Sequence, residues 1–265
     1  PRMSAPHLPG LQASGLEPLQ IRDGSIVVVG ERTNVAGSRK FARLIRERKF
    51  DQALTIARKQ IEEGASVIDI CMDDPMIDAV EAMVTFLRLA SAEPEIARLP
   101  FMIDSSNWSV IEAALKEVQG RAIVNSISLK EGVDLFLERA RHISRMGAAM
   151  VVMLFDEQGQ ADSFERRCAI ADRAYHLLVD GGICRAEDIV FDPNVLAIAT
   201  GIDAHDRYAS DFIRAVSWIR TQFPSVSISG GVSNLSFSFR GNTALREAIH
   251  ALFLEYARQA GLSMA

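Results

Sequence analysis

Seven short apolar runs in this sequence each end in an acid or an amide side chain. In chain order these are Glu31 and Asn34 in Gly30-Glu-Arg-Thr-Asn34, then Asp69 and Asp73, then Asp104 in Ile103-Asp-Ser-Ser106. Asn125 follows in Val124-Asn-Ser-Ile-Ser128, then Asp156, then Asp192 and Asn194 in Phe191-Asp-Pro-Asn194. The seventh run leads into Ser229-Gly-Gly-Val-Ser-Asn234, with Phe237, Phe239 and Arg240 just beyond. Such residues can build a pocket of acceptors and amides with almost no nucleophile. That chemistry suits a neutral heterocycle rich in N–H donors. The pyrimidine edge of a pterin sets a ring N–H beside an exocyclic amine, and one carboxylate can accept from both. Purines and flavins fit the same description less closely and stay open.

Each residue also has a plainer role. An Asp after a strand often caps the next helix, and Asp73, Asp74 and Asp78 sit where a helix N-terminus favours negative charge. Paired carboxylates serve glycoside hydrolysis too, but the sequence does not fix their separation, and 7% aromatic residues is low for a sugar cleft. Gly230-Gly231 reads as a tight turn or a phosphate nest, and Phe237 and Phe239 as core or ligand-stacking residues.

Bulk properties narrow the classes. A net charge of -5 argues against a nucleic-acid partner. Cys71, Cys168 and Cys184 have no metal-ligand spacing and read as thiols of a reducing, cytoplasmic protein. The histidines His7, His142, His176, His205 and His250 form no H-x-x-x-H pair, so no protein-bound metal is expected. No apolar stretch is long enough to suggest a membrane span.

A repeating unit must position the polar residues. The apolar runs at 26–29, 67–70, 101–103, 122–124, 150–155, 189–191 and 226–228 are continuous, as in parallel strands buried on both faces. Amphipathic helices separate them: Phe50, Ala53, Leu54, Ala57 and Ile61 share one face, and Met76, Val80, Met83, Val84 and Leu87 another. A third starts at Ser109 as N-cap and closes near Gly120; the last runs from Leu245 to Gly261. The expected fold is α/β, a (β/α)₈ TIM barrel that stops before its eighth strand, at Leu262-Ser-Met-Ala265, with sites after the strands' C-terminal ends. Residues 1–24, rich in Pro and Gly, are expected as a linker or N-terminal cover, and 25–265 as the barrel.

The loops also carry a family resemblance. Gly30-Glu-Arg-Thr-Asn34, Met102-Ile-Asp-Ser-Ser106, Val124-Asn-Ser-Ile-Ser128, Phe155-Asp-Glu-Gln-Gly-Gln160, Phe191-Asp-Pro-Asn194, Ala199-Thr-Gly-Ile202 and the 14 residues Ser229 to Asn242 closely resemble the pterin-binding domain of cobalamin-dependent methionine synthase. The resemblance runs from about Gly15 to the end. It implies binding of 5-methyltetrahydrofolate, whose methyl group passes to cobalamin and then to homocysteine. Substrate contacts would fall on Asp104, Asn125, Asp192 and Asn234, with Glu31 and Arg240 nearby. Asp104 and Asp192 would accept from the pterin N–H groups and Asn125 would add an amide contact. Asn234 would act catalytically, beside the nitrogen that bears the methyl. Cobalamin would be bound by another domain of the same polypeptide, and zinc only by a homocysteine domain that this chain does not contain. Dihydropteroate synthases and the methyltransferases of corrinoid iron–sulfur proteins are the neighbouring enzyme alternatives. A folate-binding module inactive in isolation is the alternative of a different class.

Overall fold

The structure, a computed structural model, describes residues 10–19 and 24–265. Seven strands, β1 (Val29–Asn34), β2 (Val67–Cys71), β3 (Phe101–Asp104), β4 (Ile123–Ile127), β5 (Ala149–Met153), β6 (Ile189–Asp192) and β7 (Ser227–Ile228), pair in sequence order. Every pairing is parallel. Between them run α1 (Arg39–Arg46), α2 (Phe50–Glu62), α3 (Ala79–Ser91), α4 (Trp108–Leu115), α5 (Val133–Arg145), α6 (Phe164–Tyr175) and α7 (Tyr208–Gln222); α8 (Thr243–Ala260) follows β7. The sheet curls into a TIM-barrel-like α/β fold without a regular eighth strand. The last residues nevertheless lie in its slot: Met264 forms parallel bridges to both Val27 and Ser229.

Continuous apolarity in the strands conceals a period of two. Val67, Met102, Ile123, Ala149, Val151, Val190 and Met264 pack together inside the barrel. Their neighbours Ile68, Ile70, Ile103, Val124, Met150, Phe191 and Ile228 point outward into a larger core under the helices. Leu11 and Ala13 join the inner cluster, so the described part of the N-terminal segment covers the strand-start end. Residues 1–9 and 20–23 of the expected cover lie outside the described residues.

Local expectations shift at four places. The first strand starts at Val29, not 26, and Val28 is exposed. Met76 lies before α3 and is exposed, because Asp78 caps that helix by accepting from the Glu81 N–H and turns Ala82, Met83, Phe86 and Leu87 inward. The cap of α4 is Asn107, whose Oδ1 accepts from the Ser109 N–H, so Ser109 lies inside the helix. The run at 150–155 ends as a strand at Met153; Phe155–Asp156 turns back on Gly159–Gln160 as a small hairpin. No helix among the described residues is long and apolar enough to cross a membrane.

Candidate active site

The inward parity that fills the barrel also builds its site. Two residues beyond an inward-facing apolar side chain, the next inward position falls at the open end of the strand. Val29 leads to Glu31, Val67 to Asp69, Met102 to Asp104, Ile123 to Asn125, Val151 to Met153 and Val190 to Asp192. On five of these six strands a polar group thus replaces an apolar one where the barrel interior meets the loops, Met153 being the exception, as expected at the C-terminal face of such a fold.

A cavity of about 320 Å³ opens there. Glu31, Asp104, Asn125, Asp192 and Asn234 all line it, with Ser126, Met153, Asn194, Ser229 and Gly230 among their neighbours. Lys, Arg, His and Cys are absent from that lining. Arg240 is not part of it: its guanidinium stacks over the exposed Phe237 ring, 4.5 Å from the centroid, outside the cavity. Asp156 is diverted into an ion pair with Arg166 at 2.6 Å. Asp73 ties down the next loop, accepting from the Ser105 hydroxyl at 2.6 Å and from the Ser106 N–H and hydroxyl. Asp74 pairs with Arg46 and accepts from the Met76 N–H.

Asp192 is held on both oxygens. The Asn194 N–H donates to Oδ1 at 2.9 Å and the Ser229 hydroxyl to Oδ2 at 3.0 Å. Burial pushes its pKa up to about 6; the Asn194 N–H and Ser229 hydroxyl oppose the rise, the Glu31 charge adds to it, and Arg167 opposes it. Asp104 lies across the cavity, where burial and then the Asp73 charge push it up to about 7. The Asn34 Nδ2 donates to Asp104 Oδ2 at 3.3 Å, and its own Oδ1 accepts from the Ala36 and Gly37 N–H groups. Beneath them Asp69 is buried, with Oδ1 unpartnered among the described residues. Burial, then the charges of Asp104 and Glu31, raise its pKa well above the carboxylate range. Glu31, at the mouth, is raised by desolvation and lowered by Arg32.

Asp192, held by two donors, is the double acceptor of the cavity, and Asp104, raised further by burial and the Asp73 charge, is the carboxyl that takes up a proton more readily. One wall can accept from N–H groups and another can donate. β4 pairs with β5 through a register shift between Val124 and Ile127, which brings both Asn125 and Ser126 to the wall. The sequence marked Asn194 as a strand-end amide but gave Ser229 and Ser126 no role of their own; the alternation of outward Val226 and Ile228 with Ser227 and Ser229 was the signal that could have found Ser229. Among the described residues no group of three or more His, Cys, Asp or Glu side chains is arranged to hold a metal ion.

Residues 30–265 match the family model described as pterin binding enzyme. The chain belongs to the pterin-binding enzyme family. Solved structures of similar fold include the dihydropteroate synthase of Xanthomonas albilineans in complex with 7,8-dihydropteroate. It is 16% identical, with a TM-score of 0.59 over 90% of this chain and 85% of that one. A sulfonamide complex of the Yersinia pestis enzyme is 14% identical, with a TM-score of 0.62 over 92% and 88%. The Thermus thermophilus enzyme is 15% identical, with a TM-score of 0.56 over 96% and 92%. At such identities the likeness to these structures is one of fold.

Proposed function

We propose that this pterin-binding barrel takes up 5-methyltetrahydrofolate and presents its methyl group for transfer to cobalamin, as the folate module of a methionine synthase. The observation that carries the reading is a cavity lined by Asp192, Asp104 and Asn125 but by no Lys, Arg, His or Cys. An uncharged ring with several N–H groups satisfies that lining. An adjoining pocket that shares Asp104, Asn125, Ser126 and Met153 carries Lys130 and Arg139, the cations that an anionic leaving group would call for in a second reading.

The residues present fit an acceptor that arrives from outside. The lining holds no thiol and no histidine to activate a hydroxyl, and the cavity is open at the loops. Reduced cobalamin, held by another domain of the polypeptide, supplies the nucleophile when it is bound. This chain's own residues bind, orient and hydrogen-bond, and the proton that the leaving nitrogen gains comes from water. Asp192 accepts from the ring N–H and exocyclic amine, fixing the plane of the ring. Asn125 pairs with the same ring. A tertiary amine leaves poorly unless its nitrogen is protonated or strongly hydrogen bonded; Asn234, at the cavity edge, donates there as charge develops.

The test is a titration with 5-methyltetrahydrofolate of wild type beside Asp192→Asn, followed by transfer to free reduced cobalamin. Saturable binding that collapses in the variant supports the reading; equal binding by both sinks the site. Binding without transfer leaves a folate-binding module. The fold likeness favours a second reading, a dihydropteroate synthase, which predicts release of 7,8-dihydropteroate in the presence of 4-aminobenzoic acid and a dihydropterin donor.

A further inference from the structure

The largest fully buried side chain outside the cavity lining is a cation, Arg167. It projects from α6 and is 0% exposed. A buried arginine is normally matched by a carboxylate, because an isolated charge in the interior is costly. Arg167 has no such partner within ion-pair distance among the described residues. It donates instead to two backbone carbonyls: Nε to Pro193 O at 2.8 Å and Nη2 to Asn194 O at 3.2 Å. Nη1 has no partner among the described residues.

Those two carbonyls belong to the turn that follows Asp192. The turn is unusual in its own right. Asn194 sits at φ 61, a left-handed conformation that few non-glycine residues adopt. In that conformation its N–H reaches back to Asp192 Oδ1 at 2.9 Å. Asn194 and Val195 both line the cavity beside Asp192. The guanidinium therefore grips the turn from behind while the turn grips the carboxylate from in front.

We propose that Arg167 is the positioning residue of the pterin site: it fixes the Asp192–Val195 turn and, through the Asn194 N–H, the Asp192 carboxylate. This rests on the pterin reading of the cavity. Both of its hydrogen bonds go to that turn, so its hold on the site runs through backbone carbonyls and not through a carboxylate. Charged groups facing Asp192 are then Arg167 from α6 and Glu31 from β1, acting in opposite senses. Asp162 and Asp211 also act on Arg167. Asp211 is already paired, with Arg207 at 3.5 Å and Arg214 at 3.0 Å.

The experiment follows 5-methyltetrahydrofolate affinity across pH 5 to 8 in wild type, Arg167→Met and Arg167→Lys. Binding by the wild type is expected to fail as pH falls through about 6, where Asp192 becomes protonated. Loss of the guanidinium should loosen the Asn194 N–H from Asp192 and raise that midpoint, so that affinity falls more at pH 7 than at pH 8. The lysine variant should return the midpoint most of the way. A uniform loss of affinity with an unmoved midpoint, or no loss at all, would overturn the proposal. If Arg167→Met does not fold, Arg167→Lys is crossed with Ser229→Ala, which loosens the other oxygen of Asp192, and additive effects on affinity overturn it equally.

Hydrogen exchange in the ligand-free proteins separates this proposal from the function beneath it. The Asn194 amide should exchange faster in Arg167→Lys than in wild type; unchanged protection would overturn the clamp. Failure of the wild type to bind the folate, with that amide still dependent on Arg167, would sink the functional reading alone.

Discussion

Ser229 and Asp192 meet across β7 and β6, with the hydroxyl donating to Oδ2 at 3.0 Å. The pairing of Phe191 with Ile228 sets the two strand ends level, so both side chains enter the cavity from adjacent staves. A hydroxyl that donates to the anion stabilises it against protonation. Ser229→Ala should therefore raise the Asp192 pKa above its value of about 6. Folate affinity at pH 7 should fall by about tenfold, the scale of one hydrogen bond to a charged group. The same variant should bind nearly as wild type at pH 8.5, and a calorimetric titration at both values checks this.

Burial of two carboxylates gives the ligand-free protein a defined pH response. Asp104 and Asp192 have folded pKa values of about 7 and about 6, against 3.8 for the free side chain. Between about pH 4 and 7 the folded state binds more protons than the unfolded one, so these two groups make stability fall as pH rises through that window. Their cost is fully present above pH 7. Asp104→Asn, an uncharged isostere, should stabilise the ligand-free protein at pH 8 by on the order of 2 kcal/mol, and by much less at pH 5. Pterin binding should weaken in the same variant. Chemical denaturation at the two pH values measures the difference; equal gains at both would contradict the assignment.

Gly230 is part of the wall itself. A methyl group there would lie 2.9 Å from Phe212 Cζ and 3.1 Å from Val195 Cγ2. Phe212 is fully buried and cannot retreat, so the strain must move Val195, which lines the cavity. Gly230→Ala should cost about 1–3 kcal/mol of stability and lower folate affinity with it. A thermal melt beside a binding isotherm would show the two losses together.

The opposite end of the barrel should behave differently. Arg121 precedes β4, pairs with Asp188 at 2.6 Å and donates from Nε to Gly147 O at 2.9 Å. Burial alone would raise the Asp188 pKa, but Arg121 and Arg185 outweigh it and hold the carboxyl low. Arg121→Ala leaves that half-buried carboxylate with only Arg185 and should cost about 1–3 kcal/mol. Folate affinity should not change, because the ion pair and the carbonyl hydrogen bond of Arg121 both lie at the strand starts. A shift in affinity would mean that the two ends of the barrel are coupled.

Particular residues show how much of this was legible in the sequence. The seven apolar runs marked the strands because parallel strands covered on both faces need apolar residues throughout, and Asp104, Asn125 and Asp192 stood out at their ends. What the runs could not reveal was direction. Only the packing of Val190 inside and Phe191 outside shows that Asp192 faces the cavity. Asp156 ended a run in the same way, yet the hairpin carries it to Arg166. Arg240 followed the seventh run closely, but the 3₁₀ segment Val232–Phe239 turns it away to Phe237. Arg167 was invisible for a different reason: a helix residue joins the site only through carbonyls 26 and 27 residues away. The raised pKa of Asp104 depends on burial and on Asp73, neither of which spacing encodes.

Asn234 offers the sharpest test of chemistry as distinct from binding. Its backbone is fixed, with the N–H donating to Gly231 O at 3.2 Å. Its segment is anchored from α8, where Arg246 Nε donates to the Ser236 hydroxyl at 2.8 Å and His250 Nε2 lies 2.7 Å from it. The Asn234 side chain itself makes no hydrogen bond among the described residues, is exposed and lines the cavity. Such a group has little to lose on turning toward a ligand and is suited to donate only as the amine begins to leave. Asn234→Ala should then lower the rate of methyl transfer from bound folate by about tenfold, the scale of one hydrogen bond to a charged group, while affinity falls much less. Asn234→Asp should transfer no faster than the alanine variant at high pH and recover partly as pH drops and the carboxyl gains a proton to donate. Single-turnover rates at saturating folate separate the two quantities. Weakened binding with an unchanged transfer rate would remove Asn234 from the reaction and leave it a contact.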